Sequence, residues 1–422
     1  MAMKLAFLFP GQGSQYVGMA RALWAEHPAA ELTLREANDV LGWDLRKLML
    51  QGEEEDLTRT DHAQPALLAA SVAAYRVVRE EWGLVPFIGA GHSLGEVSAL
   101  CCSGMLSFPD ALGLVVKRGE LMREACSREP GTMLAVNGLA PEVIREELRM
   151  LEAHDGGTAE FACLNAPREV VLSGEAEALE ALSVRLAMLG GRAVMLPVNG
   201  AFHSRHMRSA EEGFVEALRR IEVRPGEWPV VANHTAMPYK AGEPDALIVH
   251  LSRQLTSPVR WAETMAYLRQ QGATAVVELG PKAVLKGLLR KNVPELKSYA
   301  IDLPQDYEHV RSWRVSRRCD RQRFLNACLT AAVSTRNHNV NAEQYRAGVV
   351  EPYRLLEQME RDSAPSSPEA EDEELDRALE LIRMIFAAKG VPQAEQSDRL
   401  GELEAIRSGE SCPQARREDQ GA

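Results

Sequence analysis

The sequence lacks several features that mark whole classes of protein. It contains no uninterrupted apolar run near the length of a membrane span, and the early run LAFLF is too short for the hydrophobic region of a secretion signal. None of the seven cysteines forms a C-x-x-C pair, and the net charge of -12 argues against a nucleic-acid surface covering the protein. We therefore expect a cytoplasmic protein with reduced thiols, no membrane or nucleic-acid partner, and no metal site.

The order of strand and helix patterns indicates an α/β protein with an inserted second domain. A length of 422 residues with 45% hydrophobic content allows more than one packed domain. Residues 4–130 alternate apolar strands with helical patterns, as parallel strands joined by helices do. Residues 131–197 instead give the order strand, helix, strand, strand, helix, strand, which is typical of a ferredoxin-like unit. The α/β pattern resumes after residue 198, which predicts that this unit is an insertion.

The composition changes beyond residue 304. Residues 305–360 are predicted as a helical extension, residues 361–374 have the proline, serine and acidic bias of a linker, and the tail after Ser408 is predicted as disordered. Helical spacing within residues 375–422 predicts an amphipathic helix that carries Leu375, Leu379, Ile382 and Phe386. A cluster of arginines in the extension forms either a docking surface for an acidic partner or a solvated helix face. Its members are Arg311, Arg314, Arg317, Arg318, Arg321 and Arg323.

The segment GAGHSLGEVSAL, residues 89–100, carries the pattern Gly-x-Ser-x-Gly between a strand-like run and a helical run. Glycines on both sides of Ser93 allow a sharp turn that lifts its hydroxyl out of the sheet, at the start of a helix. The bare pattern is frequent by chance, and the alternative is an ordinary serine in a turn. The flanking strand and helix favour a catalytic nucleophile.

A serine hydroxyl needs a neighbouring base before it becomes a good nucleophile. His203 is the candidate, because it follows the last strand of the inserted unit, where the chain re-enters the larger domain. The alternative is a histidine on a surface loop. His206 follows three residues later, but no third metal ligand accompanies the pair. His92 is adjacent to Ser93 and is expected to shape the turn rather than to act as the base.

Seven short motifs occur in the order found in malonyl-CoA:acyl carrier protein transacylases, which the sequence resembles over residues 3–303. The motifs are FPGQGSQ, AQPAL, GHSLGE, KRGELM, GAFHS, SPVRW and ELGP. The resemblance implies an α/β-hydrolase-like large domain at residues 1–130 and 198–304, with a ferredoxin-like domain at residues 131–197. It also implies the activity. A malonyl group would pass from malonyl-CoA, through an acyl-serine, to the phosphopantetheine thiol of an acyl carrier protein, for polyketide or fatty acid synthesis.

The resemblance further implies the roles of the reacting residues. It assigns Ser93 as the nucleophile and His203 as the general acid and base. The backbone N–H groups of Gln12 and Leu94 would form the oxyanion hole, because the neighbouring glycines let the loop after the first strand approach the nucleophile. The backbone of Gln254 is placed to orient His203, so that a dyad replaces a triad.

Arg118 is the residue that the resemblance assigns to the malonyl carboxylate. A planar guanidinium binds a carboxylate through two parallel hydrogen bonds, although the surrounding segment alone equally predicts a surface arginine on a helix. Gln64 and Asn165 match positions near the same pocket. Phe202 resembles the bulky residue that accompanies a preference for malonyl over branched acyl groups, because a large ring leaves little room for a methyl group.

The extension beyond residue 304 resembles, more weakly, those of free-standing acyltransferases that serve polyketide synthases without built-in loading domains. The sequence shows no phosphopantetheine attachment motif, so the acyl carrier protein is expected to act in trans. No metal or redox cofactor is needed for the implied reaction. Two alternatives stay open: an acyl hydrolase that clears acyl groups from carrier proteins, and a carrier-binding scaffold without enzymatic activity.

Overall fold

The computed structural model describes residues 3–153, 157–240, 243–339, 341–362, 365 and 368–407. These residues fall into two compact units. The first comprises Met3–Val77 and Val85–Tyr307, and the second comprises Val78–Leu84 with the described residues from Glu308 onward. Every residue that the sequence nominates for chemistry lies in the first unit.

All strands of the described chain lie in the first unit. In chain order they are β1 Leu5–Phe9, β2 Ile88–Gly91, β3 Thr132–Asn137, β4 Ala159–Ala166, β5 Glu169–Gly174, β6 Arg192–Met195, β7 Val230–Val231, β8 Ala275–Glu278 and β9 Lys297–Ala300.

Helices connect these strands and make up the second unit. The α-helices of the first part of the chain are α1 Arg21–Glu26, α2 Pro28–Leu41, α3 Leu45–Gln51, α4 Glu54–Thr58, α5 Thr60–Arg76, α6 Leu94–Cys102, α7 Phe108–Arg128, α8 Pro141–Ala153 and α9 Ala176–Met188. The remaining ones are α10 Arg208–Leu218, α11 Pro244–Arg253, α12 Trp261–Gln270, α13 Val284–Asn292, α14 Pro304–Ser334, α15 Ala342–Tyr345, α16 Glu351–Arg361, α17 Pro368–Lys389 and α18 Gln393–Arg407. Short 3₁₀ segments occur at Arg205–Met207 and Gln254–Thr256, and π-helical turns at Val77–Glu81 and Arg346–Val350. Within the described residues, no helix has the length and apolar character needed to cross a membrane.

Five strands form a parallel sheet in the order β7-β2-β1-β8-β9. Strands β1, β2 and β8 are buried along their whole length, as in parallel sheets covered on both faces. Phe9 at the end of β1 pairs with Gly91 at the end of β2. The glycine loop after β1 and the Gly-x-Ser-x-Gly turn after β2 therefore lie side by side, at the sheet edge where α/β proteins usually bind ligands.

The other four strands form a separate antiparallel sheet in the order β4-β5-β3-β6. The chain from β3 to β6 runs strand, helix, strand, strand, helix, strand, so the elements predicted for residues 131–197 are present. Apolar residues of β3 and β5 form a core with Ile144 of α8 and Leu179 of α9. The Leu164 N–H donates to the Val259 carbonyl at 2.9 Å, and the Val259 N–H donates to the Ala162 carbonyl at 2.9 Å. These bonds attach β4 to the segment that precedes α12.

The second unit is helical and has its own apolar core. Leu375, Leu379, Ile382 and Phe386 of α17 are all buried there, together with Phe324 of α14. The amphipathic helix that the spacing of these residues predicts is confirmed.

The prediction of a linker over residues 361–374 is wrong in its second half. Helix α17 begins at Pro368, inside that segment, rather than at residue 375. Proline is favoured in the first turn of a helix, and acidic residues near the N-terminus interact favourably with the helix dipole. The composition that suggested a linker therefore also suits the start of a helix. Helix α18 was not predicted, and the tail after Ser408 lies outside the described residues.

Arg321 is not part of an exposed docking surface. Its side chain is 3% exposed, and its guanidinium pairs with the Glu374 carboxylate at 2.6 Å. It also donates to the Met359 carbonyl at 2.9 Å, so it ties α14 to α16 and α17. Arg311 and Arg323 are exposed, and their predicted role in docking stays a prediction. The predicted roles of Arg314, Arg317 and Arg318 concern side chains outside the described residues.

Candidate active site

Ser93 occupies a strained turn between β2 and α6. Its backbone angles are φ 53° and ψ -110°, a conformation that L-residues rarely adopt. A Cβ atom at Gly91 would lie 1.8 Å from the Gly95 carbonyl oxygen, and one at Gly95 would lie 2.0 Å from the Phe9 carbonyl oxygen. Both glycines of the motif are therefore required by close backbone packing. The tight turn presents the Ser93 side chain at the edge of the sheet.

The imidazole of His203 faces the Ser93 hydroxyl. The distance from Ser93 Oγ to His203 Nε2 is 2.7 Å, and His203 Nδ1 lies 2.8 Å from the Gln254 carbonyl oxygen. A carbonyl can only accept, so the proton lies on Nδ1 and Nε2 is free to accept from the serine. Burial, reinforced by the positive charge of Arg118, lowers the pKa of His203 to about 3. The imidazole is therefore neutral at physiological pH and can act as a base.

The guanidinium of Arg118 lies beside the same hydroxyl. Arg118 Nη2 donates to Ser93 Oγ at 3.2 Å and to Gln254 Oε1 at 2.9 Å, and Nη1 donates to Gln64 Oε1 at 2.9 Å. Burial lowers the pKa of Arg118 to about 10, so the group stays charged at neutral pH. Its buried Nε–H has no hydrogen-bond partner within the described residues. The residue is not the surface arginine of the alternative prediction, since it is 1% exposed.

The loop after β1 packs directly against the nucleophile turn. A Cβ atom at Gly11 would lie 2.4 Å from the His92 carbonyl oxygen, so only glycine allows this approach. Gln12 follows in the loop, and its side-chain amide contacts Thr60 Oγ1 at 3.4 Å. Leu94 is the first residue of α6, where backbone N–H groups have no partner inside the helix. The loop and the helix start therefore flank Ser93, as the predicted oxyanion hole requires.

Asn165 and Phe202 lie beside residues next to the dyad: Asn165 contacts His92, and Phe202 directly precedes His203. Asn165 Oδ1 is 2.9 Å from His92 Nε2, so its side chain contacts the residue before the nucleophile. Phe202 is buried, and its ring packs against Gly200 in the loop that carries His203. His206 contacts Thr158 Oγ1 at 3.2 Å, and no group of three metal-ligating side chains occurs in the described part of the chain.

Three buried residues behind the dyad were missed by the sequence analysis. Asn233 Oδ1 accepts the Ser93 N–H at 2.7 Å, and its Nδ2 donates to the Gly91 carbonyl at 2.7 Å, which clamps the strained turn. The Glu96 carboxylate accepts from the Asn233 N–H at 3.1 Å, from the Tyr239 hydroxyl and from Gln254 Nε2 at 2.6 Å. Burial raises the pKa of Glu96 to about 7. The only available signal was a glutamate inside the buried, apolar first turn of α6.

The chain is similar to known acyl-transferring proteins. The family described as acyl transferase domain matches residues 6–335. A malonyl CoA-acyl carrier protein transacylase of Bacillus subtilis is 37% identical over 396 residues, which are 93% of this chain and 98% of the relative. The enzyme of that name from Escherichia coli strain K12 is 40% identical over 302 residues, 71% of this chain and 96% of the relative.

Solved structures of similar proteins cover about three quarters of the chain. A type II PKS acyl-carrier protein in complex with its malonyl-transacylase matches with a TM-score of 0.70 and 39% identity, over 73% of this chain and 99% of the other. An acyl carrier protein S-malonyltransferase from Vibrio cholerae matches with a TM-score of 0.69 and 38% identity, over 73% and 99% of the two chains.

Proposed function

The chain belongs to the acyl transferase domain family, and from that membership we propose that it transfers malonyl groups from malonyl-CoA to an acyl carrier protein. The observation that carries the proposal is the pairing of a Ser93–His203 dyad with a buried arginine beside the reacting hydroxyl. The dyad supplies covalent acyl transfer, and the arginine supplies recognition of an acyl group that ends in a carboxylate. The product serves fatty acid or polyketide synthesis.

The first half-reaction loads Ser93. His203 Nε2 removes the hydroxyl proton while Oγ attacks the thioester carbon of malonyl-CoA. The resulting oxyanion accepts hydrogen bonds from the backbone N–H groups of Gln12 and Leu94. The C–S bond then breaks, the imidazolium returns its proton to the departing CoA thiolate, and a malonyl ester remains on Ser93.

The second half-reaction repeats these steps with a different nucleophile. His203 Nε2 takes the proton of the phosphopantetheine thiol, whose sulfur attacks the ester carbon. The Ser93–acyl bond breaks, and the same imidazole returns the proton to Oγ. The Gln254 carbonyl holds the Nδ1 proton throughout, so the imidazole keeps the orientation that both half-reactions need. No step requires a metal or a redox cofactor.

Arg118 binds the free carboxylate of the malonyl group. It is buried and already held by Gln64 and Gln254, so little conformational entropy is lost when the carboxylate binds. We propose that Phe202 limits the space beside the malonyl α-carbon, and that Asn165 supports the site through His92.

The two sheets also support a finer description of the fold. We infer that the parallel-sheet part is an α/β-hydrolase-like domain, because the nucleophile turn joins a parallel strand to a helix. The strand order β4-β5-β3-β6 with two helices supports a ferredoxin-like inserted domain. We also propose that the enzyme acts in the cytoplasm on a separate carrier protein.

The fate of the malonyl-enzyme in the presence and absence of carrier tests this function. The loaded enzyme is isolated and mixed either with a phosphopantetheine-bearing carrier protein or with buffer, and the mass of each protein is followed over time. Malonyl should move to the carrier much faster than it is lost to water. Equal loss in both mixtures, with no malonyl-carrier formed, would identify an acyl hydrolase instead. The names of the relatives already favour transfer over hydrolysis.

A further inference from the structure

The side chain of Gln254 bridges two buried charged groups. Its Oε1 accepts from Arg118 Nη2 at 2.9 Å, and its Nε2 donates to Glu96 Oε2 at 2.6 Å. Nε2 also donates to the Ser93 carbonyl at 2.9 Å. Glu96 and Gln254 have no exposed surface, and Arg118 is 1% exposed, so water does not substitute for these bonds. The bridge therefore fixes the guanidinium only if the amide keeps its orientation.

Glu96 Oε2, at 2.6 Å, is the nearest of the three acceptors of Gln254 Nε2; the others are the Ser93 carbonyl at 2.9 Å and Asn233 Oδ1 at 3.4 Å. A rotated amide would direct its NH₂ group at the Arg118 guanidinium and its oxygen at Glu96, so donors would face donors and acceptors would face acceptors. Oε2 remains an acceptor whether the carboxyl group is ionised or protonated, because a proton can reside on Oε1 beside the Tyr239 hydroxyl. The orientation of the Gln254 amide therefore depends on the length of the Glu96 side chain and not on its charge.

Glu96 also connects the arginine to the nucleophile turn. The same Oε2 accepts the Asn233 N–H at 3.1 Å, and Asn233 in turn accepts the Ser93 N–H at 2.7 Å. A single carboxyl oxygen thus holds both the clamp of the turn and the bridge to Arg118. Loss of that oxygen changes the distance between the reacting hydroxyl and the guanidinium.

We propose that Glu96 is a positioning residue for malonyl transfer, which acts through the Gln254 side chain to hold the Arg118 guanidinium in place for the malonyl carboxylate. This inference rests on the proposed function. Its signature is a change in selectivity, because a misplaced guanidinium impairs malonyl loading, whereas acetyl lacks the carboxylate that Arg118 binds. A general loss of stability would instead lower the loading of both acyl groups together.

Three variants separate reach from charge. Glu96→Asp keeps the charge but withdraws the carboxylate by one methylene, Glu96→Gln keeps the reach but removes the charge, and Glu96→Ala removes both. The ratio of malonyl to acetyl loading on Ser93 should fall by about tenfold or more in E96D and E96A, since a displacement near 1 Å can cost about a hundredfold in rate. In E96Q it should stay within about threefold of wild type, because the amide oxygen replaces Oε2. Melting temperatures identify the variants that fold.

Combination with Arg118→Ala tests whether Glu96 acts through the arginine. In the R118A background, E96D should leave the malonyl-to-acetyl ratio unchanged, since the group that it positions is absent. The inference is overturned if E96D matches wild type while E96Q is impaired, if all folded variants keep the wild-type ratio, or if E96D lowers the ratio equally in both backgrounds. Failure of wild type to load malonyl at all would instead reject the proposed function itself.

Discussion

Replacement of Arg118 by alanine should change which acyl group the enzyme accepts. Arg118 donates to Gln64, Gln254 and Ser93, and the malonyl carboxylate is expected to accept two N–H groups from one edge of the guanidinium. Two charge-assisted hydrogen bonds at about 1.5–2 kcal/mol each contribute about 3–4 kcal/mol to malonyl recognition. Because about 1.4 kcal/mol corresponds to a factor of ten, malonyl loading should fall by about two to three powers of ten.

Acetyl loading should respond in the opposite direction. An acetyl methyl group would lie against the buried guanidinium without giving it an anionic partner, which penalises the acetyl complex in wild type. Alanine removes the charge and therefore the penalty. The ratio of malonyl to acetyl loading should collapse or invert, rather than fall through a loss of both activities.

The assay is the rate of acyl-Ser93 formation from malonyl-CoA and, separately, acetyl-CoA, followed by intact-mass measurement. Arg123→Ala is the matched control, because Arg123 lies on the same helix with its side chain 57% exposed. It should leave both rates unchanged. Arg118→Lys should give an intermediate ratio, since lysine keeps the charge but not the planar fork. A folded Arg118→Ala variant with the wild-type ratio would refute the role of Arg118 in malonyl recognition.

Further predictions concern the pH dependence, the nucleophile turn and the second unit. The pKa of His203 is about 3 in the folded protein and about 6.5 in the unfolded chain. As pH falls below about 6.5, the unfolded chain therefore takes up a proton before the folded protein does, and the free energy of unfolding should drop. Melting temperatures measured against pH should show a shallower decline in His203→Gln. Gly95→Ala should prevent folding or abolish loading, because the new Cβ would lie 2.0 Å from the Phe9 carbonyl oxygen. Gly113→Ala is the control: its Cβ would meet no neighbouring group within 4 Å, so the change should be neutral or stabilise the protein by up to about 1 kcal/mol. A folded and active Gly95→Ala would contradict the observed turn. Arg321→Ala leaves the mostly buried Glu374 carboxylate without its partner and should destabilise the second unit by about 3–5 kcal/mol. Hydrogen exchange in α14 and α17 should accelerate, and unchanged protection there would refute the structural role of this pair.

The nucleophile turn could be predicted from the sequence because its determinants are local. Gly91, Ser93 and Gly95 lie within five residues, and each glycine is required by a close approach to a neighbouring backbone. The alternation of strands with helices and the elements of residues 131–197 were likewise predicted from local patterns. Patterns of this kind survive in a single sequence since each depends on residues a few positions apart.

The hydrogen-bond partners of Arg118 could not be predicted from local sequence patterns. Lys117 and Arg118 are adjacent on α7, yet the lysine side chain is 46% exposed while Arg118 is 1% exposed. Nothing in the segment itself shows which of the two cations is turned inward, and only the resemblance to a family separated them. Glu96 joins Asn233 and Gln254, which lie 137 and 158 residues away in the chain. Contacts at such separations depend on the tertiary fold rather than on any spacing in the sequence.

If Ser93 carries the malonyl group, the position of the acyl group in the loaded enzyme will reveal it. Wild type and Ser93→Ala are incubated with malonyl-CoA, digested, and analysed by mass spectrometry of the peptide that contains residue 93. Wild type should carry one malonyl group on the Ser93 hydroxyl, and Ser93→Ala should carry none. A malonyl group on another residue, or equal acylation of Ser93→Ala, would show that Ser93 is not the nucleophile.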